Sequence, residues 1–340
     1  MMLSSHTETL ISIGRRAMIG LVMAGVLAGA IGCLDLSSDD GWESRLYSPT
    51  LLTKIGDDYF IVDAWHNRIL YNQTLDRDLS AWSVLDQDLA GPHSIASNGR
   101  ILVVDDTGFH RVAVYEIDGD GYSFSHYIPR LGRRPHRVVY DEATEAFYVI
   151  ASRSQTMYKL RDTGQTLVVE REHPLDFLDG AYTRSFSIID GSMYFVSGPG
   201  KIFRVRYDDD SFAVLDSYKV PSTFRQMNDL VKVGGAYYLT NTHDWVTEED
   251  LPENTIHRCE ELEDFGSGGC EDVKEELELQ GIPYYISHID GRYYIAMANQ
   301  YNGIAIADVD DQGRLVAGGR LFDSGPPTEG SFKERFRLPK

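Results

Sequence analysis

The chain has 340 residues, of which 42% are hydrophobic and 25% are charged, a composition typical of a globular protein. Its formal net charge of -20 argues against a surface that binds nucleic acid or adsorbs to an anionic membrane. Its three Cys exclude a disulfide-framework miniprotein, and its 31 Gly and 20 Tyr favour strands and tight turns over helices.

The first predicted element is an export signal. Residues 17–32 are apolar or small and carry no charge, and they follow the pair Arg15 and Arg16. This stretch is shorter than the roughly 20 residues of a membrane span, and it has the form of a signal-peptide core. We therefore expect residues 1–32 to be a cleaved signal peptide. The Arg pair also resembles a twin-arginine signal, so both this route and the general secretory route stay open.

The signal ends in Ala30-Ile31-Gly32-Cys33, which resembles the lipobox of bacterial and archaeal lipoproteins. In that family the chain is cut before the Cys and the thiol is acylated. The resemblance implies an exported protein that is anchored to the cell envelope through Cys33, with residues 33–45 as a linker and the lipid as its only membrane contact. An ordinary signal peptide that is cut nearby is the alternative.

Six repeats of about 45 residues follow. Each contains a short apolar strand, a turn at Asn-Gly, Asp-Gly or Gly-Gly, a stronger apolar strand, a polar loop and a third strand; the second repeat turns at Asn98-Gly99. Such hairpin repeats predict an all-β fold, a six-bladed β-propeller over residues 46–327, with a C-terminal tail at 328–340. An open solenoid is the alternative.

Two loops share a spacing in which an Asp is followed by four residues, an Arg and an aliphatic residue. They run from Asp63 to Ile69 and from Asp106 to Val112. This spacing resembles that of the NHL-repeat propellers. The resemblance implies that Asp and Arg brace each loop, which is a structural role.

Residues 244–280 form the longest predicted connection, an acidic insertion in the fifth blade. Within it, residues 271–279 are predicted to form a short helix. Cys259 and Cys270 are predicted to form a disulfide, because an exported protein meets an oxidising compartment. We expect an ordered segment that either partly covers one channel mouth, where its acids would favour neutral or cationic ligands, or lies at the opposite end of the blade.

The first strand of each blade lines the channel of a propeller, so the residues that open these strands converge. Aligning the blades on their first turns places at one mouth Leu51, His93, His136, Ser185, Asp229 and Tyr285, with Arg184, Asn228 and Tyr284 just before three of them. The predicted ligand-binding residues are Asn228 and five loop residues, Trp65, His66, His110, Arg153 and His243.

The Pro-His pairs at His93 and His136 resemble the zinc-ligand motifs of the peptidyl-amidating lyase propeller. The stretch from Gln226 to Val231 resembles the metal-binding blade start of gluconolactonase-type propellers. These resemblances imply one divalent metal, Zn or Ca, held by His93, His136 and Asp229. The candidate catalytic groups are Arg184, Tyr285 and Tyr301. In the structural alternative, the two imidazoles simply cap backbone groups of the channel.

Two functions therefore stay open. The first is a monomeric, lipid-anchored propeller that binds a small molecule or a protein at its channel mouth and does not bind nucleic acid. The second is an extracytoplasmic metal-dependent lyase or hydrolase. The sequence has no G-x-S-x-G, H-E-x-x-H or P-loop motif, so an enzyme here would rely on a metal or on His, Arg and Tyr chemistry.

Overall fold

The computed structural model describes residues 45–119, 121–198, 200–208, 211–224, 226–242, 255–298 and 303–323. The predicted signal peptide, Cys33, the C-terminal tail, His243 and Tyr301 lie outside these ranges. Among the described residues, no helix has the length and apolar character needed to span a membrane.

The described ranges contain 24 strands in six sheets of four. Blades 1 to 3 comprise β1 (Pro49–Ile55), β2 (Asp58–Asp63), β3 (Arg68–Asn72), β4 (Ser83–Asp86), β5 (Ile95–Ser97), β6 (Ile101–Asp106), β7 (Arg111–Asp118), β8 (Gly121–Pro129), β9 (Pro135–Asp141), β10 (Ala146–Ala151), β11 (Thr156–Asp162) and β12 (Leu167–Pro174). Blades 4 to 6 comprise β13 (Tyr182–Ile189), β14 (Ser192–Gly198), β15 (Lys201–Arg206), β16 (Ala213–Lys219), β17 (Gln226–Val233), β18 (Ala236–Thr242), β19 (Thr255–Cys259), β20 (Glu271–Asp272), β21 (Ile282–Ile289), β22 (Arg292–Ala298), β23 (Gly303–Val309) and β24 (Leu315–Asp323).

The six sheets form a ring. Each sheet is antiparallel and contains four consecutive strands, and the first strands contact one another in the order β1, β5, β9, β13, β17, β21 and back to β1. The predicted six-bladed β-propeller is thus confirmed.

The hairpin turns arise from residues that tolerate positive φ. Blades 4 and 6 turn at Asp190-Gly191 (φ 48° and 71°) and Asp290-Gly291 (φ 49° and 82°), and each pair joins the first strand to the second. Two successive positive φ angles match the right-handed twist of the flanking strands, which is why Asp-Gly is favoured there.

The core lies between the blades. Every residue of β6 and β10 is buried, because a second strand is covered on both faces by neighbouring blades. Between blades 3 and 4, for example, Tyr148 packs in one cluster with Phe186 and Phe195. These near-continuous apolar strands explain why the sequence shows strong second strands in each repeat.

The ring closes where blade 6 meets blade 1. Leu52 and Ile61 of blade 1 pack with Ile304 and Phe322 of blade 6. On the surface, the Lys54 ammonium lies 2.8 Å from a carboxylate oxygen of Asp290. Since each blade is made of consecutive strands, side-chain packing provides this closure.

Blade 5 differs from the prediction of a single insertion. Part of residues 244–280 supplies the blade's own outer strands, β19 and β20, and a short helix, α1 (Asp264–Ser267). The predicted disulfide between Cys259 and Cys270 is confirmed. It links the end of β19 to the residue just before β20. Phe265 of α1 is buried with Val220 and Phe224 of blade 4. The described part of the segment therefore packs at the outer edge of the ring.

The prediction of a helix over residues 271–279 is wrong. Glu271–Asp272 pair with β19 as strand β20, and turns follow at 274–278. Val273, Leu277 and Leu279 are buried in a cluster with Ile295 and Met297 of blade 6. Burial of these three apolar side chains overrides the helical propensity of the Glu-rich stretch.

Candidate functional site

The first strand of each blade is irregular where the chain enters it. Pairing with the second strand shifts register at one residue in blades 1, 3, 4 and 5 and at two in blade 6, and β5 of blade 2 begins only after His93. Such bulges re-aim side chains and leave backbone groups unpaired. We call the residues at these positions the mouth ring; they are Thr50, His93, His136, Arg184, Asn228 and Tyr284.

The mouth ring converges on the channel. The rings of His93 and Tyr284 lie 5.9 Å apart between centroids, although blades 2 and 6 are not neighbours. His93 and His136, in adjacent blades, have ring centroids 3.8 Å apart and planes tilted by 36°. The convergence expected from the aligned blades therefore holds for these three side chains.

Side chains beside the mouth ring hold the His pair. Asp105 accepts hydrogen bonds from the backbone N–H groups of His93 and Ser94. The Nδ1 of His93 lies 3.2 Å from the Thr107 hydroxyl. His136 is 2% exposed, and its Nδ1 has no hydrogen-bond partner in the described part of the chain. One buried imidazole nitrogen is thus available to a bound molecule.

Both His are held in the neutral form. Burial lowers the pKa of His93, with Arg134 and Arg184 acting in the same direction and Asp105 opposing them. Burial also lowers the pKa of His136 well below its ordinary value, and the neighbouring His93 and Arg184 add to this effect. Neutral imidazoles can accept a proton, share a hydrogen bond or ligate a metal.

Three guanidinium groups give the mouth a positive charge. Arg184 is 7% exposed; its Nη1 donates to the Asn228 side-chain oxygen across 3.4 Å, and its Nε has no acceptor. The guanidinium carbons of Arg153 and Arg184 lie 5.6 Å and 5.5 Å from the Tyr182 ring centroid. The Nε of Arg134 is likewise buried without an acceptor. None of the three Arg forms an ion pair with a carboxylate inside the described ranges.

A tyrosine crosses the channel below the mouth ring. Tyr285 is fully buried, and its hydroxyl donates to the backbone oxygen of His136 across 3.3 Å. Blades 6 and 3 face each other in the ring, so the side chain spans the channel. The guanidinium carbon of Arg137 lies 3.7 Å from the centroid of the Tyr285 ring. Tyr285 therefore forms the floor of the mouth, and Arg137 packs against its ring.

Asp229 ties blade 5 to both neighbouring blades. Its carboxylate accepts hydrogen bonds from the Ser187 hydroxyl (3.1 Å) and from the backbone N–H groups of Leu230 (3.1 Å) and Ile286 (2.9 Å). Burial raises its pKa, and the positive charge of Arg137 opposes the increase. These contacts stabilise the irregular start of β21.

The predicted metal set is only partly brought together. His93 and His136 lie against each other, whereas the hydrogen bonds of Asp229 involve other residues. Within the described ranges, no group of three or more His, Cys, Asp or Glu side chains is arranged to hold a metal ion. The His93, His136 and Asp229 site stays a prediction.

The predicted loop residues fall into different places. Arg153 lies at the mouth, through its contact with Tyr182. Trp65 packs on Tyr47, with 5.6 Å between ring centroids, and the Nδ1 of His66 lies 2.5 Å from an Asp63 oxygen. The Nδ1 of His110 accepts from the backbone N–H of Arg134 across 3.2 Å. Trp65, His66 and His110 therefore contact their own loops or the segments that enter the blades.

The paired Asp and Arg brace their loops, as the resemblance to NHL-repeat propellers implied. One oxygen of Asp63 accepts from the backbone N–H of Tyr47, and the other accepts from Arg68 Nε at 3.0 Å. Asp106 repeats the pattern one blade later: it accepts from the backbone N–H of Ala90 at 2.7 Å and from Arg111 Nε at 2.6 Å. Each carboxylate therefore links its own loop to the segment that enters the blade.

Sequence reasoning missed two residues of the site. Arg134 immediately precedes the Pro-His motif of blade 3, and its place in that motif could have identified it. Tyr182 begins β13 and packs edge-on against His136, with 6.4 Å between ring centroids. Its sequence neighbourhood gives no indication of this role.

No protein-family model matches the chain, and no curated protein matches it. Solved structures do. A putative 6-phosphogluconolactonase from Bacteroides fragilis aligns with a TM-score of 0.54 at 13% identity, covering 81% of this chain and 86% of the other. The periplasmic gluconolactonase of Pseudomonas aeruginosa aligns with a TM-score of 0.52 at 15% identity, covering 82% and 87%. Hydrazine synthase of Kuenenia stuttgartiensis reaches 0.50 at 15% identity, covering 78% of each chain.

These neighbours share one architecture, but their names describe different proteins. At 13–15% identity the likeness concerns the path of the backbone and not the chemistry of the channel. What the comparisons show for this chain is the β-propeller fold.

Proposed function

We propose that the mouth ring binds a small anionic ligand, a carboxylate or a phosphate ester, in a protein held at the cell envelope by a lipid on Cys33. The observation that carries the proposal is the buried guanidinium of Arg184, whose Nε has no acceptor. A buried donor without a partner costs about 1–3 kcal/mol, which a bound acceptor would remove.

The surrounding groups support an anionic ligand. Guanidinium groups bind carboxylates and phosphates through paired hydrogen bonds, and Arg134 and Arg153 add positive charge beside Arg184. The neutral His93 and His136 can share hydrogen bonds without adding charge. This lining favours anions, in contrast to the acidic segment of blade 5, which would favour cations if it covered the mouth.

Titration calorimetry at low ionic strength tests the proposal, with gluconate, citrate and inorganic phosphate as probes. We expect at least one of them to bind, and Arg184→Gln to weaken that binding by tenfold or more. Arg204→Gln, which changes an exposed Arg on β15 of the same blade, is the matched control and should leave affinity unchanged. Absence of binding, or equal binding by the Arg184 variant, would contradict the proposal.

A second candidate is a metal-dependent lyase or hydrolase. It is favoured by the adjacent His93 and His136, whose lowered pKa values favour the neutral form that a metal requires. In this proposal Asp229 completes a Zn or Ca site, and Arg184, Tyr285 and Tyr301 serve as acid–base groups. The names of two lactonase-like neighbours make gluconolactone a reasonable first substrate to assay.

Metal analysis of the purified protein separates the two candidates. Stoichiometric zinc or calcium that is lost in both His93→Ala and His136→Ala would favour the enzyme. A metal-free protein that still binds an anion would favour the binding function.

The anchor is tested separately. Labelled palmitate should be incorporated into the wild-type protein in its native host and not into Cys33→Ser. Equal labelling of the two proteins would place the lipid elsewhere.

A further inference from the structure

A cavity of about 680 Å³ lies at the other end of the channel, among blades 3 to 6. Its lining includes Asp141 at the end of β9 and the turn residues Asp190 and Gly235. The mouth ring, by contrast, lies at the beginning of the first strands. Tyr285 crosses the channel between them, so the cavity is separate from the site proposed above.

The deep end of the cavity contains a positive group with spare donors. Arg137 lines the cavity, and its Nε and Nη1 have no acceptor among the described residues. Asp229 faces the same space, but its oxygens already accept from Ser187, Leu230 and Ile286. Because the guanidinium is stacked on Tyr285, its orientation is fixed. A carboxylate is the ligand group that best matches such a guanidinium.

The walls of the cavity combine apolar side chains with a larger share of polar surface, and the outer end is acidic. Val139, Ile188, Val231 and Ile286 form walls between Arg137 and the opening. Asp141 and Asp190 lie near the opening. The Asp141 carboxylate accepts from the Thr144 hydroxyl at 2.7 Å, and Asp190 is paired with Lys232 at 2.6 Å. The opening therefore carries a net negative charge.

The separation of the charges indicates the length of the ligand. Arg137 and Asp141 are four residues apart on β9, so their Cα atoms lie about 13 Å apart at 3.3 Å per residue, and this spacing sets the scale of the charge separation. This is too far for the two charges of one amino acid. An extended peptide of two or three residues, with an ion-pair contact at each end, spans such a distance.

We infer that this cavity binds a short peptide of two or three residues, its C-terminal carboxylate at Arg137 and its α-ammonium at the acidic opening. A volume of about 680 Å³ falls within the usual range of ligand pockets, about 300–1,000 Å³. The two ends of the peptide neutralise opposite charges of the protein.

Titration calorimetry with the tripeptide Ala-Ala-Leu tests this inference. We expect binding that weakens at least tenfold for N-acetyl-Ala-Ala-Leu, which lacks the ammonium, and for Ala-Ala-Leu amide, which lacks the carboxylate. Lack of tripeptide binding at 10 mM, or equal binding by either blocked peptide, overturns the inference.

Variants locate the bound peptide. Val231→Phe, which fills the cavity, and Arg137→Lys, which removes the planar fork but keeps the charge, should each weaken binding at least tenfold. Val214→Phe is the matched control, because it makes the same change on the exposed face of β16. Arg184→Gln should leave peptide binding unchanged, so this inference can fail or succeed independently of the mouth ring. Unaltered binding by both cavity variants overturns it.

Discussion

Acidification should destabilise this protein through two buried imidazoles. The pKa values of His93 and His136 are lowered by burial from an ordinary value of 6.5, so the unfolded chain takes up these protons first as the pH falls. The stability that they contribute is complete above pH 6.5 and is lost as the pH falls from there towards the folded-state pKa values. At pH 5.5, a His that stays neutral in the folded protein loses about 1.4 kcal/mol relative to pH 7.5. Two such residues give an upper limit of about 3 kcal/mol, or roughly 6 °C in melting temperature.

Thermal and urea denaturation at pH 7.5, 6.5 and 5.5, followed by circular dichroism, measures this loss. The double variant His93→Asn/His136→Asn should show a pH dependence that is smaller by up to about 3 kcal/mol over the same interval. Burial also lowers the pKa of His257, but that residue is present in both proteins and its effect cancels. If the double variant loses as much stability as the wild type on acidification, the two imidazoles are not the buried neutral groups described above.

Three further changes test the fold around the site. Replacing both cysteines of the disulfide by Ser should lower the free energy of unfolding by about 3 kcal/mol, the chain-entropy estimate for closing a loop of this length; an unchanged urea midpoint would contradict it. Asp63→Asn removes the charge that pairs with Arg68 and should cost about 3 kcal/mol in urea denaturation, whereas Asp216→Asn, in an exposed pair, should cost less than about 1 kcal/mol. Tyr285→Phe should cost about 1 kcal/mol by the same assay, because it leaves one buried carbonyl without its donor. A cost of zero would indicate that the tyrosine hydroxyl does not make this bond.

The propeller could be predicted because its determinants are local. Turns such as Asp190-Gly191 specify hairpins, and the buried second strands appear as apolar runs of four to six residues. Blade 5 was harder to predict because its outer strands follow a long connection. The assignment of Glu271–Asp272 to a strand depends on pairing with β19 and on burial of the residues after it.

For the site, the sequence could predict only which strands contribute residues. Counting from the first turn placed His93 and His136 side by side, as the structure does. The bulges could not be foreseen, because they depend on the neighbouring blade. The Thr240 hydroxyl donates to the backbone carbonyl of Tyr284, and the Asp229 carboxylate accepts from the backbone N–H of Ile286. Side chains of blade 5 thus replace backbone pairing inside blade 6.

The self-contained blades make one of the six interfaces different from the rest. Blades 1 to 6 follow one another along the chain, so every neighbouring pair is consecutive in sequence except blades 6 and 1, which contain its last and first described strands. Opening the ring there would separate the apolar cluster around Leu52 and Phe322 and the surface pair of Lys54 and Asp290, without breaking any strand pairing. Mechanical or thermal opening of the propeller should therefore begin at this seam, with each blade still intact.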